Sequence, residues 1–251
     1  AAQFLIRKLY AWLIAEAPAP PDSLLEPLAE RFRQSDYDIG DIVGTILRSR
    51  HFFSEFAYRQ RVKSPVEYAI GVVRAVRPNA APRELVGPLE AMGQSLFAPP
   101  NVKGWPGGRA WLNSATVLAR QNFAQVMTAG PNAPPGPSNI TAGIAAAVGS
   151  SATPPVSGTL VLAAADAVTP QPQLPEAVDG IVAVVEQEKA TEPAVAVNVL
   201  ADLLLQGDIA EETRSKLTAF LAGGKPAKAV WQQRVREMTH ALLTLPEYTL
   251  A

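Results

Sequence analysis

The stretch DIGDIVGTIL, residues 38–47, sets the fold class of this chain. Its aliphatic residues recur at spacings of three and four, at Ile39, Ile42, Val43, Ile46 and Leu47. On a helix this spacing makes one continuous apolar stripe. Asp38 stands where its carboxylate can accept hydrogen bonds from the first free N–H groups of that helix. The stretch therefore predicts an amphipathic helix that begins directly after Asp38.

The same kind of signal recurs on both sides of this stretch. Capping boxes at Ser23–Glu26 and Ser64–Glu67 predict two helix starts, and Pro82 predicts a third. The helix after Pro82 is expected to bury Leu85, Val86, Leu89 and Met92. Towards the end of the chain, helices are predicted at about 175–190, 193–206, 211–221 and 226–245. The last has a packing seam at spacings of four and three, formed by Trp231, Val235, Met238, Leu242 and Leu245. The fold class is therefore all-α, as a multi-helix array or bundle.

Residues 129–177 have a different composition. They contain nine prolines, twelve alanines, no aromatic residue and only two charges. Prolines interrupt helices, and small side chains bury too little surface to offset the entropy of ordering the chain. This pattern predicts a long Pro/Ala-rich irregular insertion or linker. It divides the chain into an N-terminal helical region (1–128) and a C-terminal one (178–251), either separate from the first or packed on it.

The composition excludes several kinds of chemistry. The 251 residues include no cysteine and only two histidines, His51 and His240, so thiolate nucleophiles and cysteine metal sites are absent. The formal net charge is −1, which argues against nucleic acid as a partner. No apolar run is long enough for a transmembrane segment. We predict no cofactor and no metal site. Because helical periodicity begins at Phe4, we expect a fragment or a processed chain.

The strongest candidate for a site is the run PPNVKGWPGGRAWLN, residues 99–113. Its prolines and glycines predict a compact loop that ends at a helix capped by Asn113 or Ser114. The free N–H groups at the helix start suit an anion or a flat polar ligand, and tryptophan faces beside amide and cationic donors suit a sugar ring. The candidate binding residues are Asn101, Lys103, Trp105, Arg109, Trp111 and Asn113. The alternative is structural, with both tryptophans filling the core while the glycines allow a tight backbone.

Two other clusters have simpler structural explanations. Arg48, Arg50, Arg59, Arg61 and Lys63 are interleaved with aromatic residues, which is a pattern found in nucleic-acid clamps. Long basic side chains also lie over apolar surfaces with their charged ends in water. Asp36, Asp38 and Asp41 lack the glutamate that a calcium-binding loop requires. Helix capping accounts for these carboxylates more simply than a metal does.

The loop also carries a family resemblance. Residues 99–113 and the following ARQNFA, residues 119–124, resemble the C-terminal half of the bacterial proteins called domain of unknown function 1800. Supporting stretches are 4–10, 35–53 and 62–68, with weaker support from 203–221 and 241–251. The resemblance implies a mainly helical, exported protein that is often encoded beside another exported family of unknown function, numbered 1501. It supplies no catalytic residue.

Two functions remain open at this point. The first is a non-enzymatic binding or interaction module at the bacterial cell envelope, with a protein of the 1501 family or a glycan as its partner. The second is a fragment of a carboxylate-dependent hydrolase, in which Asp36, Asp38 or Glu67 supplies acid–base chemistry together with residues upstream. Tryptophan rings that face solvent beside converging polar groups would favour binding, and carboxylates with shifted pKa values in a closed pocket would favour catalysis. If both rings are buried, the loop is structural.

Overall fold

The computed structural model describes residues 1–76, 82–129, 180–223 and 227–251. These residues contain one isolated β-bridge, no strand and eleven α-helices, so the all-α prediction is confirmed. The helices are α1 (Ala2–Leu13), α2 (Asp22–Gln34), α3 (Ile39–Leu47), α4 (Pro65–Val76), α5 (Val86–Ala91), α6 (Ser114–Thr128), α7 (Gly180–Gln187), α8 (Pro193–Leu205), α9 (Glu211–Ala222), α10 (Lys228–Thr244) and α11 (Pro246–Thr249). Short 3₁₀ segments cover Pro82–Leu85 and Gly108–Trp111.

Helices α1, α2 and α3 pack around a small core of their own. Ile6, Leu25, Phe32 and Ile42 are fully buried there, and Phe52 folds back against them from the turns after α3. Asp38 caps α3 as predicted, since its side chain accepts hydrogen bonds from the backbone N–H groups of Gly40 and Asp41. The stripe from Ile39 is only partly buried, because Ile39 and Leu47 at its two ends remain exposed.

The remaining helices share a second and larger core. Helix α6 packs on both α4 and α10, and α10 also contacts α7, α8 and α9. The predicted seam on α10 is confirmed: Val235, Met238 and Leu242 are fully buried, and Trp231 and Leu245 pack against the same core. Helices on both sides of residues 130–179 therefore contribute to one core. The predicted Pro/Ala-rich insertion lies outside the described residues, apart from Ala129.

The segment between the two cores is held by the end of the chain. Val62 and Leu250 form an antiparallel bridge, and the amide of Lys63 donates to the carbonyl of Thr249 at 2.9 Å. The Arg61 guanidinium donates to Glu67 at 2.7 Å and lies over the Trp12 ring of α1. Backbone pairing and one arginine thus join the small core to the large one.

Two local predictions were wrong. The expected capping box at Ser23 does not form, because α2 begins one residue earlier, at Asp22, and its cap residue is Pro21. Val86 is exposed, whereas Leu85, Leu89 and Met92 are buried as predicted. On a helix, Leu85, Leu89 and Met92 lie close to one line, and Val86 lies about a quarter turn away from it, on the exposed side. The second capping box is confirmed by reciprocal hydrogen bonds between Ser64 and Glu67.

Candidate functional site

The loop that joins α5 to α6 carries the candidate site. We call residues 95–113 the Trp105 loop. The chain turns into it at Gly93, whose φ of +93° lies in the left-handed region that glycine tolerates best. The loop ends at Asn113, directly before α6, and α6 is anchored in the large core by Phe123, Ala124 and Met127. A rigid helix therefore fixes the position of the loop.

A capping box attaches the end of the loop to α6. The Asn113 side chain accepts hydrogen bonds from the amides of Ala115 and Thr116, each at 3.0 Å. The Thr116 hydroxyl accepts the Asn113 amide at 3.0 Å and lies 2.9 Å from the carbonyl oxygen of Trp111, to which it can donate. The Trp111 side chain is buried, with 7% of its surface exposed. These contacts hold Trp111, Asn113 and Thr116 as one unit.

A cavity of about 340 Å³ lies between the loop and this unit. Trp105 and Trp111 form part of its wall, and Trp105 is partly exposed to solvent. The wall is mainly apolar. The other lining residues are Met92, Gly93, Ser95, Ala98, Pro100, Pro106, Ala110, Asn113 and Thr116. A mainly apolar cavity with few polar groups is typical of a site that accepts an apolar group.

The first half of the loop turns apolar side chains towards solvent. Phe97 is 99% exposed, Val102 is fully exposed, and Leu96 is exposed to a lesser degree. Phe97 has a φ of +62°, a left-handed conformation that costs a non-glycine residue about 1–2 kcal/mol. Tight turns shape the backbone, with Ala98 donating to Ser95 at 3.2 Å and Gly104 donating to Asn101 at 3.0 Å. An aromatic side chain is thus held fully in solvent by a strained backbone.

The charges of the loop are both positive. Lys103 and Arg109 are exposed, and neither forms an ion pair with a described residue. A carboxylate oxygen of Glu16 lies 2.5 Å from the point where Gly108 would carry a Cβ. Burial raises the pKa of Glu16, and a hydrogen bond with the Val62 backbone and the charge of Arg61 oppose this shift. The loop therefore has one acidic edge, at Gly108, and two unpaired cations.

The structure brings three of the six predicted binding residues together. Trp105, Trp111 and Asn113 line the cavity, whereas Asn101, Lys103 and Arg109 are exposed and do not line it. The Asn101 side chain accepts the Lys103 amide at 2.8 Å and so stabilises a turn. Whether these six residues bind a ligand stays a prediction. One tryptophan ring is buried and the other reaches solvent, so the loop has both a structural part and an accessible part.

Sequence reasoning did not single out the most exposed residues of the loop. Phe97 precedes the recognised run, and Val102 lies inside it without any chemical signal of its own. A lone phenylalanine in a sequence is usually buried. Only the closely spaced Pro99 and Pro100 after Phe97 hint that the chain leaves the helical core at this point.

Several of the other candidate groups are engaged within the fold, whereas Asp36 and Arg50 are exposed. Asp38 caps α3, Asp41 pairs with Arg31, and both oxygens of Glu67 accept hydrogen bonds, from Arg61 and from the Ser64 amide. Arg59 pairs with Asp208 at 3.1 Å, so acids are interspersed among the basic residues of 48–63. In the described ranges, no three acidic or histidine side chains are grouped as a metal site requires.

The histidines are also held by neighbours. His51 lies 2.8 Å from the Tyr10 hydroxyl and stacks on Phe56, which ties the turns after α3 to α1. His240 is buried in α10, and burial lowers its pKa. Neither ring lines the cavity. Both residues therefore have structural contacts that do not depend on a ligand.

The fold and the loop define a helical protein with an accessible apolar site between two helices of its large core. The chain belongs to the family described as a protein of unknown function (DUF1800), which matches residues 1–250. The family membership predicted from the loop motif is thereby confirmed. No curated protein and no solved structure matches the chain. Among the described helices, none is long and apolar enough to cross a lipid bilayer.

Proposed function

We propose that this chain is a non-catalytic module that binds another protein through the Trp105 loop. The observation that carries the proposal is the full exposure of Phe97 and Val102 beside a cavity walled by two tryptophans. Exposed apolar groups next to an apolar cavity are a frequent mark of a protein–protein contact. A partner that covers them would remove apolar surface from water, which is the main favourable term in association.

The backbone at Phe97 supports the same function. Phe97 has a left-handed backbone conformation, which is strained. Its ring makes no buried contact that would offset this strain, because the ring lies entirely in solvent. Residues in a strained backbone conformation that adds nothing to the packing of the fold are found most often at binding and catalytic sites. Because Phe97 lies in a hydrogen-bonded turn, its backbone is already positioned, and little backbone entropy would be lost on association.

Two polar side chains that line the cavity are already hydrogen-bonded within the fold, which favours a protein rather than a glycan as the ligand. Glycan recognition needs free donors and acceptors that converge on the hydroxyl groups of the sugar. The Asn113 side-chain oxygen and the Thr116 hydroxyl are both used in the capping box. The remaining lining is mostly apolar. An apolar side chain from a protein partner is better matched to such a wall.

The contacts of two of the three candidate carboxylates support binding rather than hydrolysis, and the third, Asp36, is exposed and does not line the cavity. Asp38 and Glu67 each cap a helix, and Glu67 also pairs with Arg61. A general acid needs a carboxyl group free to reach its substrate. In our proposal the module acts at the bacterial cell envelope. Its candidate partner is an exported protein of the 1501 family, and both points rest on the family resemblance alone.

The test compares two matched double variants in a pull-down from a bacterial envelope extract. Phe97→Ser with Val102→Ser removes the exposed apolar groups of the loop. Ile39→Ser with Phe53→Ser removes apolar groups that are exposed elsewhere, on and after α3, and serves as the control. Retained proteins are identified by mass spectrometry, and each interaction is measured again with purified components.

We expect the loop variant to lose a protein that both the control and the wild type retain, with at least a tenfold loss of affinity in the purified pair. Equal retention by all three chains would contradict the proposal. Retention of a polysaccharide in place of a protein, lost in the loop variant, would assign the site to glycans instead.

A further inference from the structure

We propose that the partner segment recognised by the Trp105 loop is acidic and carries one large apolar side chain that enters the cavity. This inference rests on the proposed protein-binding function and names the chemistry of the partner. It follows from the charge of the loop, the position of that charge and the size of the cavity.

The charge within the loop is unbalanced. Residues 91–129 contain Lys103, Arg109 and Arg120 but no aspartate or glutamate, and the exposed Glu90 of α5 directly precedes them. Arg120 is buried and lies over the Tyr68 ring, so it contributes to the core and not to the surface. Lys103 and Arg109 are left exposed on the loop. Two positive charges beside an apolar surface favour a partner that carries negative charge.

The two cations are available to a partner. Arg59 and Arg61 differ from these two cations, because their side chains are mostly buried and pair with Asp208 and Glu67. Lys103 and Arg109 have no such acid within the described part of the chain. Glu16 lies against Gly108 and would repel an acidic partner at that edge of the loop. Carboxylates of a partner are therefore expected to pair with Lys103 and Arg109 rather than to lie at Gly108.

The cavity sets the apolar part of the partner. Its volume of about 340 Å³ lies near the lower end of the range for small-molecule sites. That is enough for a single large side chain and too little for a folded surface. Phe97 and Val102 project beside it into solvent and can cover the neighbouring residues of the segment. Protein interfaces usually have a buried apolar centre surrounded by a polar and charged rim.

Three short synthetic peptides test the inference on the full chain. The first carries a central phenylalanine flanked by glutamates on both sides. The second replaces the glutamates by lysines, and the third replaces the phenylalanine by alanine. Binding is measured by calorimetry at low and high salt, and the indole signals in NMR spectra of the chain report contact with its tryptophans.

We expect the acidic phenylalanine peptide to bind at least tenfold more tightly than either of the other two. Its affinity should fall at high salt, because exposed charge pairs are screened. In the double variant Lys103→Glu with Arg109→Glu the preference should reverse towards the lysine peptide. The control Arg48→Glu with Arg50→Glu changes the net charge by the same amount on the small core and should leave the preference unchanged.

The outcomes separate this inference from the proposed function. If both phenylalanine peptides bind equally, or if charge reversal at the loop changes nothing, the acidic partner is excluded while protein binding at the loop still stands. If the alanine peptide binds as tightly as its parent, the apolar anchor is excluded. If no peptide binds, this inference is overturned, and the pull-down with the Phe97 and Val102 variant decides the proposed function independently.

Discussion

The two halves of the Trp105 loop are built in opposite ways. From Gly108 to Asn113 the chain is buried at Trp111 and hydrogen-bonded to α6 through the capping box. From Leu96 to Lys103 it forms small turns whose apolar side chains face solvent. The difference shows that residues 108–113 contribute to the stability of the fold, whereas residues 96–103 contribute little to it. Substitutions should therefore affect stability in one half and binding in the other.

The largest effect is expected at Trp111. Replacing this buried ring by alanine removes apolar contacts and leaves a cavity, which costs about 3–5 kcal/mol for an aromatic core residue. Trp105 is partly exposed, so the same replacement there should cost clearly less. Urea unfolding followed by far-ultraviolet circular dichroism measures both. Equal losses of stability for the two tryptophan variants would contradict the division of the loop into a structural half and an exposed half.

The next effect is expected at the helix cap. Asn113→Ala removes the acceptor for two amides of α6 and should lower the free energy of unfolding by about 1–2 kcal/mol. Ser114 follows it as the exposed first residue of α6, and Ser114→Ala should change stability by no more than about 0.5 kcal/mol. The denaturation midpoints of the two variants give the comparison. A larger loss at Ser114 would mean that the cap lies elsewhere.

A smaller effect, of opposite sign, is expected at Phe97. Glycine adopts its left-handed conformation without strain, and the exposed ring gives up no buried contact, so Phe97→Gly should raise stability by about 0.5–1 kcal/mol. Val102 is just as exposed but has no positive φ, so Val102→Gly should lower stability through chain entropy. Thermal unfolding of both variants reports the signs. Two changes of the same sign would show that Phe97 is not strained.

The smallest effect is expected for Val102→Ser. A fully exposed side chain contributes little to the folded state, so its loss should change the unfolding free energy by less than about 0.5 kcal/mol. The same variant should weaken binding of the acidic phenylalanine peptide. Chemical denaturation and calorimetry on one preparation test both statements. A stability loss comparable to that of Asn113→Ala would place Val102 in the structural half.

Much of the fold could be predicted because its signals are local. The capping residues Asp38 and Asn113 lie next to the N–H groups they bind, and the seam of α10 follows from the spacing of its own residues. Ser23 shows where such reasoning fails. It had the spacing of a capping box, but α2 begins at Asp22 and encloses it. A local sequence pattern predicts that a helix exists more reliably than it predicts the residue at which the helix begins.

The candidate site could be predicted only in part. Glycine, proline and tryptophan marked the loop, and Trp105, Trp111 and Asn113 do line its cavity. Val86 and Phe97 were beyond prediction for one reason: an apolar side chain is buried or exposed according to what packs against it from distant parts of the chain. The Glu16 contact at Gly108 likewise joins residues that are far apart in sequence.

Local signals are enough to predict the helical class, the family and the place of the loop, because periodicity, capping and motif composition act over a few residues. Packing between distant segments makes the small core separate from the large one, buries one tryptophan while the other reaches solvent, and leaves Phe97 projecting outwards. These features depend on contacts between distant segments, such as the pairing of Val62 with Leu250. No local pattern encodes such a contact.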